Sequence, residues 1–313
     1  MKNELEEVSH IAKAIFDEVS KAVIGKDDII NYLTISLLSE GNILMEGLPG
    51  VAKTTIAKTF ASVLGCDFKR IQFTPDIMPA DITGTYIFNQ KTGSFELRKG
   101  PVFANIILAD EINRASPKSQ SALLECMGEK QVTLEGKTME VPKPFMVIAT
   151  QNPIDLEGTY PLPEAQIDRF QFKLNVEYPD EKEELEMIIW KDKGVTSEIK
   201  KVTSPEQINR LILAVKKVYI DEKVMCYIRN LVIGTRKRNE LLIGASPRAS
   251  IALLKASKSL AAIRGRSYVI PDDIKYLLPV VLRHRMILTP DSELGGITVG
   301  EIIQDVLNQV EVV

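Results

Sequence analysis

Two rhythms of hydrophobic and polar positions divide this chain. Short continuous apolar runs alternate with helical patterns as far as Tyr178-Pro179, and beyond that point only the helical rhythm continues. The runs Asn42–Glu46, Arg70–Phe73, Asn105–Asp110, Phe145–Ala149 and Phe172–Val176 read as strands. The unbroken Asn105-Ile106-Ile107-Leu108-Ala109-Asp110 is typical of a central strand in a parallel sheet. Residues 4 to 22 and 27 to 39 predict amphipathic helices ahead of the first strand, separated by Val23-Ile24-Gly25-Lys26 with its turn-permitting glycine. A further helix is expected over Thr54–Leu64, where Ile56, Ala57, Phe60, Ala61 and Leu64 share one face.

Between the second and third strands lies an insertion. Thr85–Phe88 and Ser94–Leu97 flank a Lys91-Thr92-Gly93 turn and predict a β-hairpin. A second hairpin is expected where Val132 and Leu134 alternate with polar residues, Glu135-Gly136 turns, and Met139–Val141 returns. Ahead of it, Ser116-Pro117 opens a helix whose apolar face is Leu123, Leu124 and Met127, with Gly128 as the expected end. The domain boundary is placed after Tyr178, giving an α/β unit over residues 1–178 and an all-helical unit, with no strand, over 179–313. In the second unit Ser204-Pro205-Glu206-Gln207 has the form of a capping box, Ser246-Pro247 starts a helix ending before Gly265, and Pro271-Asp272-Asp273 starts another.

Composition narrows this picture only a little. A chain of 313 residues with 45% hydrophobic and 26% charged residues is ordinary globular material. The formal charge of -3 supplies no global basic field for nucleic acid, and Arg236-Lys237-Arg238 reads as solvated surface. Cys66, Cys126 and Cys226 show no CxxC spacing, and with only His10 and His284 a transition-metal site is not expected. No apolar stretch approaches the roughly 20 residues of a membrane span, and the acidic start MKNELEEVSH lacks a signal-peptide pattern, so a cytoplasmic location without membrane insertion is expected.

The candidate chemistry starts at Gly47-Leu48-Pro49-Gly50-Val51-Ala52-Lys53-Thr54, between the first strand and its helix. Strand, loop and helix in that order suit a phosphate cradle: small residues let backbone N–H groups face phosphates, Lys53 reaches the terminal phosphates, and the Thr54 hydroxyl ligates magnesium. Nucleotide contacts are expected from Gly47 through Thr54 and from Thr55, and the helix N-terminus adds a favourable dipole. Ala52 stands where a glycine is usual, and because alanine tolerates positive φ poorly, a right-handed backbone is expected there. Average residue usage gives such spacing roughly a one in a hundred chance in a chain this long, so a second site is needed.

Asp110-Glu111 supplies it, ending the most apolar strand at the edge where ligands of open α/β sheets bind. Asp110 is expected to hold magnesium through its water shell, and Glu111 to orient and polarise the attacking water. Asn152, just beyond the strand ending at Ala149, can hold the same water if the two strands are neighbours; an Asn-Pro after a strand is otherwise a plain turn. Val23-Ile24-Gly25 is either a simple cap or an apolar pair that packs on a purine base. Arg248 lies in the first turn of its helix, where the dipole disfavours a cation, and a bound polyphosphate would explain it.

Taken together and in order, GLPGVAKT, ILADEINRA, ATQNP, LPEAQIDRF and SPRAS resemble the MoxR family of AAA+ ATPases over nearly the whole chain. An alanine before the lysine is usual in that family. The resemblance implies an AAA+ P-loop NTPase core, a parallel sheet between helices, with a C-terminal all-α lid. It makes Gly47–Thr54 the Walker A loop, Asp110 and Glu111 the Walker B pair, and Asn152 sensor 1. It makes Arg169 a finger that reaches a neighbouring subunit's γ-phosphate, and Arg248 the sensor 2 that reads phosphates in its own subunit. The hairpins near 85–97 and 131–141 match the helix-2 insert and the pre-sensor hairpin.

It further implies ATP hydrolysis with magnesium by a ring, expected to be a hexamer, that remodels or activates a protein client such as one carrying a von Willebrand factor A domain. Arg114, three residues beyond Glu111, reads equally as a second trans-acting arginine or as an intrasubunit ion pair. Two other functional classes are weighed against this one. A nucleic-acid motor, or a magnesium-chelatase-like motor subunit, is disfavoured by the net charge and by hairpins with few cations beyond Lys91, Arg98, Lys99 and Lys137. A nucleotide-gated scaffold without turnover is disfavoured by the presence of both Glu111 and Lys53.

Overall fold

The structure, a computed structural model, describes residues 2–153, 158–193 and 198–312. Two helices come first, α1 (Lys2–Val19) and α2 (Asp27–Leu38). Leu5, Val8, Ala12, Ile15 and Val19 recur every three or four residues along α1 and are buried. Next come β1 (Ile43–Gly47), α3 (Lys53–Leu64) and β2 (Phe68–Gln72), then a short α4 (Pro79–Thr83) leading into the hairpin β3 (Gly84–Asn89) and β4 (Ser94–Lys99). The core continues through β5 (Ile106–Asp110), α5 (Pro117–Glu129), the hairpin β6 (Gln131–Leu134) and β7 (Lys137–Glu140), β8 (Met146–Gln151), α6 (Glu164–Ile167) and β9 (Phe172–Val176).

Five strands form one parallel sheet in the order β2-β5-β8-β1-β9. Strand pleating sends alternate residues to opposite faces. Ile106, Leu108, Met146, Ile148, Ile43 and Met45 enter a core shared with α1, α2, α3 and the C-terminal helices. Ile107, Ala109, Val147, Ala149 and Leu44 enter a second core under α5. Burial on both faces is why β5 has no alternation in its sequence. The register pairs Ala109 with Ala149 and Met45 with Thr150, so β1, β5 and β8 end together at one edge.

The remaining elements are α7 (Glu181–Asp192), α8 (Pro205–Lys216), α9 (Glu222–Arg236), β10 (Leu241–Ile243), α10 (Pro247–Ile263), α11 (Pro271–Leu282), β11 (Ile287–Leu288), α12 (Pro290–Leu294) and α13 (Val299–Gln309). α1 packs on α3 and also on α8 and α10, joining the sheet layer to this helical part.

Three local expectations are corrected. The second part is not strand-free: β10 and β11 pair antiparallel, Leu241 with Leu288 and Ile243 with Ile287, but are too short to show a period of two. α5 does not stop at Gly128; it runs to Glu129, and Lys130 takes the left-handed cap at φ 54°. The Lys130 amine bonds the Phe145 carbonyl (3.3 Å) and lies over the Phe145 ring. At Ser204 only half a capping box forms: Ser204 Oγ accepts from the Gln207 N–H, while the Gln207 amide reaches Glu7 of α1 (2.8 Å).

Candidate functional site

The loop between β1 and α3 opens onto a cavity of about 370 Å³ lined by residues 49–55 together with Asp110, Glu111 and Asn152. Three strand ends therefore converge as the parallel register requires. At Gly47 the chain passes so close to β9 that a Cβ would lie 2.4 Å from the Val176 carbonyl oxygen, so no side chain fits. Lys53 Nζ donates to the Gly47 carbonyl, folding the lysine back across the loop. Thr54 Oγ1 donates to Asp110 Oδ2 at 3.4 Å.

Ala52 overturns the backbone expected for it. It sits at φ 63°, ψ 16°, in the left-handed region, as a glycine would. The chain must turn from the loop directly into α3, and that turn fixes the dihedral whatever the residue. Alanine bears a strain of roughly 1–2 kcal/mol there with the smallest Cβ-bearing side chain.

Asp110 is almost wholly buried at the end of β5. Its Oδ1 accepts from Thr150 Oγ1 (2.6 Å), and its Oδ2 accepts from Arg70 Nε (3.0 Å) and Nη2 (2.7 Å). Glu111 follows at φ 56°, a second left-handed turn, and its N–H donates to the same Thr150 hydroxyl (2.8 Å). Glu111 Oε2 accepts from Gln72 Nε2 (3.0 Å) and from Arg114 Nη1 (3.1 Å). Arg114 is thus an ion-pair partner of Glu111 within its own chain. Asn152 lies buried one residue past β8 and faces the same cavity, since β5 and β8 are neighbours. A hydroxyl and a carboxylate, both hard oxygen donors, form the kind of partial set that Mg²⁺ completes with water and substrate phosphates, so Thr54 and Asp110 fit that ion.

The arginines lie elsewhere. Arg169 and Arg248 line a separate cavity of about 360 Å³ with Lys130, Asp168, Lys255 and Arg285. Arg169 Nη1 donates to the Leu124 carbonyl of α5 (2.9 Å). Asp168 holds the cluster: it accepts from Ser246 Oγ (2.9 Å), from Arg285 Nε (2.8 Å) and from Arg248 Nη1 (3.4 Å). Ser246 also caps α10 by accepting from the Arg248 N–H. Burial lowers the pKa of the Arg285 guanidinium, with Asp168 opposing the shift, and burial pushes the Lys130 amine down to about 8.

Arg248 stands in the first turn of α10, beside the capping Ser246. The anion that relieves its position at a helix N-terminus is Asp168, and it shares a cavity with Arg169 rather than with the phosphate loop. The Val23-Ile24-Gly25 turn lies outside both cavities. Val23 is buried, and Gly25 (φ 67°) lies against the Glu183 carboxylate, where a Cβ would meet its carbon at 2.0 Å. Sequence reasoning missed Arg70, Gln72, Thr150, Asp168 and Arg285. For the first two a signal existed, because polar residues two apart on a strand share a face.

Residues 42–172 match the family described as ATPase family associated with various cellular activities (AAA), and residues 233–306 match the AAA lid domain. The chain is 46% identical to the chaperone MoxR1 of Mycobacterium tuberculosis over 97% of this chain and 82% of that one. It is likewise 46% identical to YeaC of Bacillus subtilis, over 96% of this chain and 94% of that one. A crystal structure of a protein from Cytophaga hutchinsonii superposes with a TM-score of 0.93 at 43% identity, covering 99% of this chain and 97% of the other. Core, lid and relatives agree with an enzyme that binds and hydrolyses ATP, and the chain belongs to the MoxR family of AAA+ ATPases.

Proposed function

We propose that the two cavities are complementary halves of one ATPase site, completed between neighbouring copies of the chain. The observation that carries this reading is the sharing of one cavity by Arg169 and Arg248, apart from the loop that cradles phosphate. In it, the loop from Gly47 to Thr55 wraps the phosphates, Lys53 leaves the Gly47 carbonyl for the terminal phosphates, and Val23, Ile24 and Gly25 border the base. Thr54 and Asp110 hold Mg²⁺, which neutralises charge on the phosphates. Glu111, released from Gln72 and Arg114, takes the proton of the attacking water while Asn152 fixes that water's position. Arg169 of the adjacent copy stabilises charge on the phosphoryl group in the transition state, and Arg248 assists from the same face.

The exposed apolar residues of α7, Leu185, Ile188 and Ile189, on a helix with no buried residue, support assembly into a ring that covers them. A hexamer is proposed as its closed form, working in the cytoplasm with residues 1–178 as motor core and 179–313 as lid. We infer a chaperone-like role toward a protein client, with a von Willebrand factor A domain protein as the proposed class. The kinship with MoxR1 supports this, as do the exposed Ile87, Phe88 and Phe95 on the first hairpin.

The test mixes two inactive variants. Arg169→Ala and Glu111→Gln chains should each hydrolyse no ATP, yet a mixture contains interfaces with both Glu111 and Arg169 intact and should regain turnover. A mixture that stays silent although the two variants co-assemble would sink the shared-site reading.

A further inference from the structure

Arg70 has no part in the reading above, yet its guanidinium is bound to a carboxylate that lines the phosphate-loop cavity. It rises from the edge strand β2 and places both Nε (3.0 Å) and Nη2 (2.7 Å) on one carboxylate oxygen, Asp110 Oδ2. That oxygen is also the one facing the Thr54 hydroxyl. The other oxygen, Oδ1, is engaged by Thr150. The Asp110 side chain is only 9% exposed, and a carboxylate so buried requires a compensating cation. Two positive groups therefore have a claim on Oδ2: the guanidinium, and the divalent ion whose water shell would need to donate to the same lone pairs.

The guanidinium does a second thing. Nη2 also donates to Gln72 Oε1 (2.5 Å), and pinning the amide oxygen turns the amide nitrogen toward Glu111, where Nε2 donates to Oε2 at 3.0 Å. Residues 70 and 72 of β2 lie beside Leu108 and Asp110 in the parallel register, so both side chains come from the strand next to the two acids. One hydrogen-bonded chain therefore runs Asp110, Arg70, Gln72, Glu111.

We propose that Arg70 and the divalent cation compete for Asp110 Oδ2, the guanidinium holding that oxygen until a metal is seated and giving it up when one is. Arg70 is then a positioning residue for the Asp110 carboxylate, while Glu111 keeps a donor of its own in Arg114. This rests on the assignment of Thr54 and Asp110 to the metal.

The experiment measures Mn²⁺ binding by the electron paramagnetic resonance of the free ion, in the full chain saturated with ADP. Nucleotide binding in EDTA is followed in parallel. Arg70→Gln removes the competing charge and is expected to tighten Mn²⁺ binding about fivefold to tenfold, the effect of one unit charge at close range in a solvated site. Nucleotide binding in EDTA should be unchanged. Arg70→Lys keeps the charge but not the fork, should fall between Arg70→Gln and the unaltered chain, and carries the test if Arg70→Gln does not fold. A purely structural Arg70 predicts the opposite sign, so equal or weaker Mn²⁺ binding in the folded variants overturns the proposal. If the unaltered chain binds nucleotide in EDTA but no Mn²⁺ with ADP, it is the metal assignment that fails.

Discussion

The two cavities are built by opposite means. The phosphate-loop cavity is set by backbone: three strand ends in register, left-handed residues at Ala52 and Glu111, and carboxylates already held by hydrogen bonds. The arginine cavity is set by side chains, with Asp168 tying α6, α10 and the end of α11 into one cationic wall. One cavity offers carboxylates and a glycine-containing loop at a helix start, the other offers guanidinium groups. On the proposed shared-site reading, separating them would let a chain bind nucleotide alone while its hydrolysis depended on a neighbour.

The strongest way to break this comparison is Arg169→Ala, which should lower turnover by about 10³-fold or more while nucleotide affinity holds, measured by phosphate release and by equilibrium binding. Were affinity lost in step with turnover, Arg169 would belong to the chain's own binding site. Glu111→Gln should lower kcat by about 10²–10⁴-fold and leave ATP bound, checked by counting nucleotide retained after gel filtration. Arg248→Ala tests whether the second arginine sides with the first. The expected loss of turnover is smaller than for Arg169→Ala, and it should likewise be partly restored by mixing with Glu111→Gln chains.

A gentler probe addresses the junction behind the arginine wall. His284 donates from Nε2 to the Phe170 carbonyl (3.1 Å), and burial together with nearby Arg285 and Lys173 lowers its pKa well below the ordinary value. It stays neutral when folded, whereas the unfolded chain takes up a proton near pH 6.5. Stability is therefore fully present above that pH and falls as pH drops through it, by at most about 1.4 kcal/mol per pH unit. Thermal unfolding of His284→Gln should show a shallower acid loss between about pH 6.5 and 5. The smallest effect belongs to Ala52→Gly. Relief of left-handed strain and the added freedom of the unfolded chain nearly cancel, so the melting temperature should move by the equivalent of under about 1 kcal/mol.

The strands, both hairpins and the phosphate loop were legible because each depends on neighbours in sequence: apolar runs, turn glycines, a lysine at a fixed spacing. β10 and β11 were not, being three and two residues long and paired across more than forty positions of chain. Asp110, Glu111 and Asn152 could be named individually, yet their union depended on β5 lying beside β8. Arg248 was recognisable as a cation in the wrong place electrostatically. What balanced it was Asp168, eighty residues earlier, and no local pattern links the two.

The sequence by itself determined the class of chemistry, because phosphate binding and water activation require particular residue types at short spacing. Only the tertiary structure decided which residues face one another. Packing of α6 against α10 and α11 gathered the arginines into a wall apart from the loop, and strand pairing put Arg70 on the oxygen that Thr54 also faces. Contacts of that kind arise between segments distant in the chain, where local periodicity carries no information about distance. The turn at Ala52 belongs with them: the residue was readable, but its left-handed backbone was fixed by the path from β1 into α3.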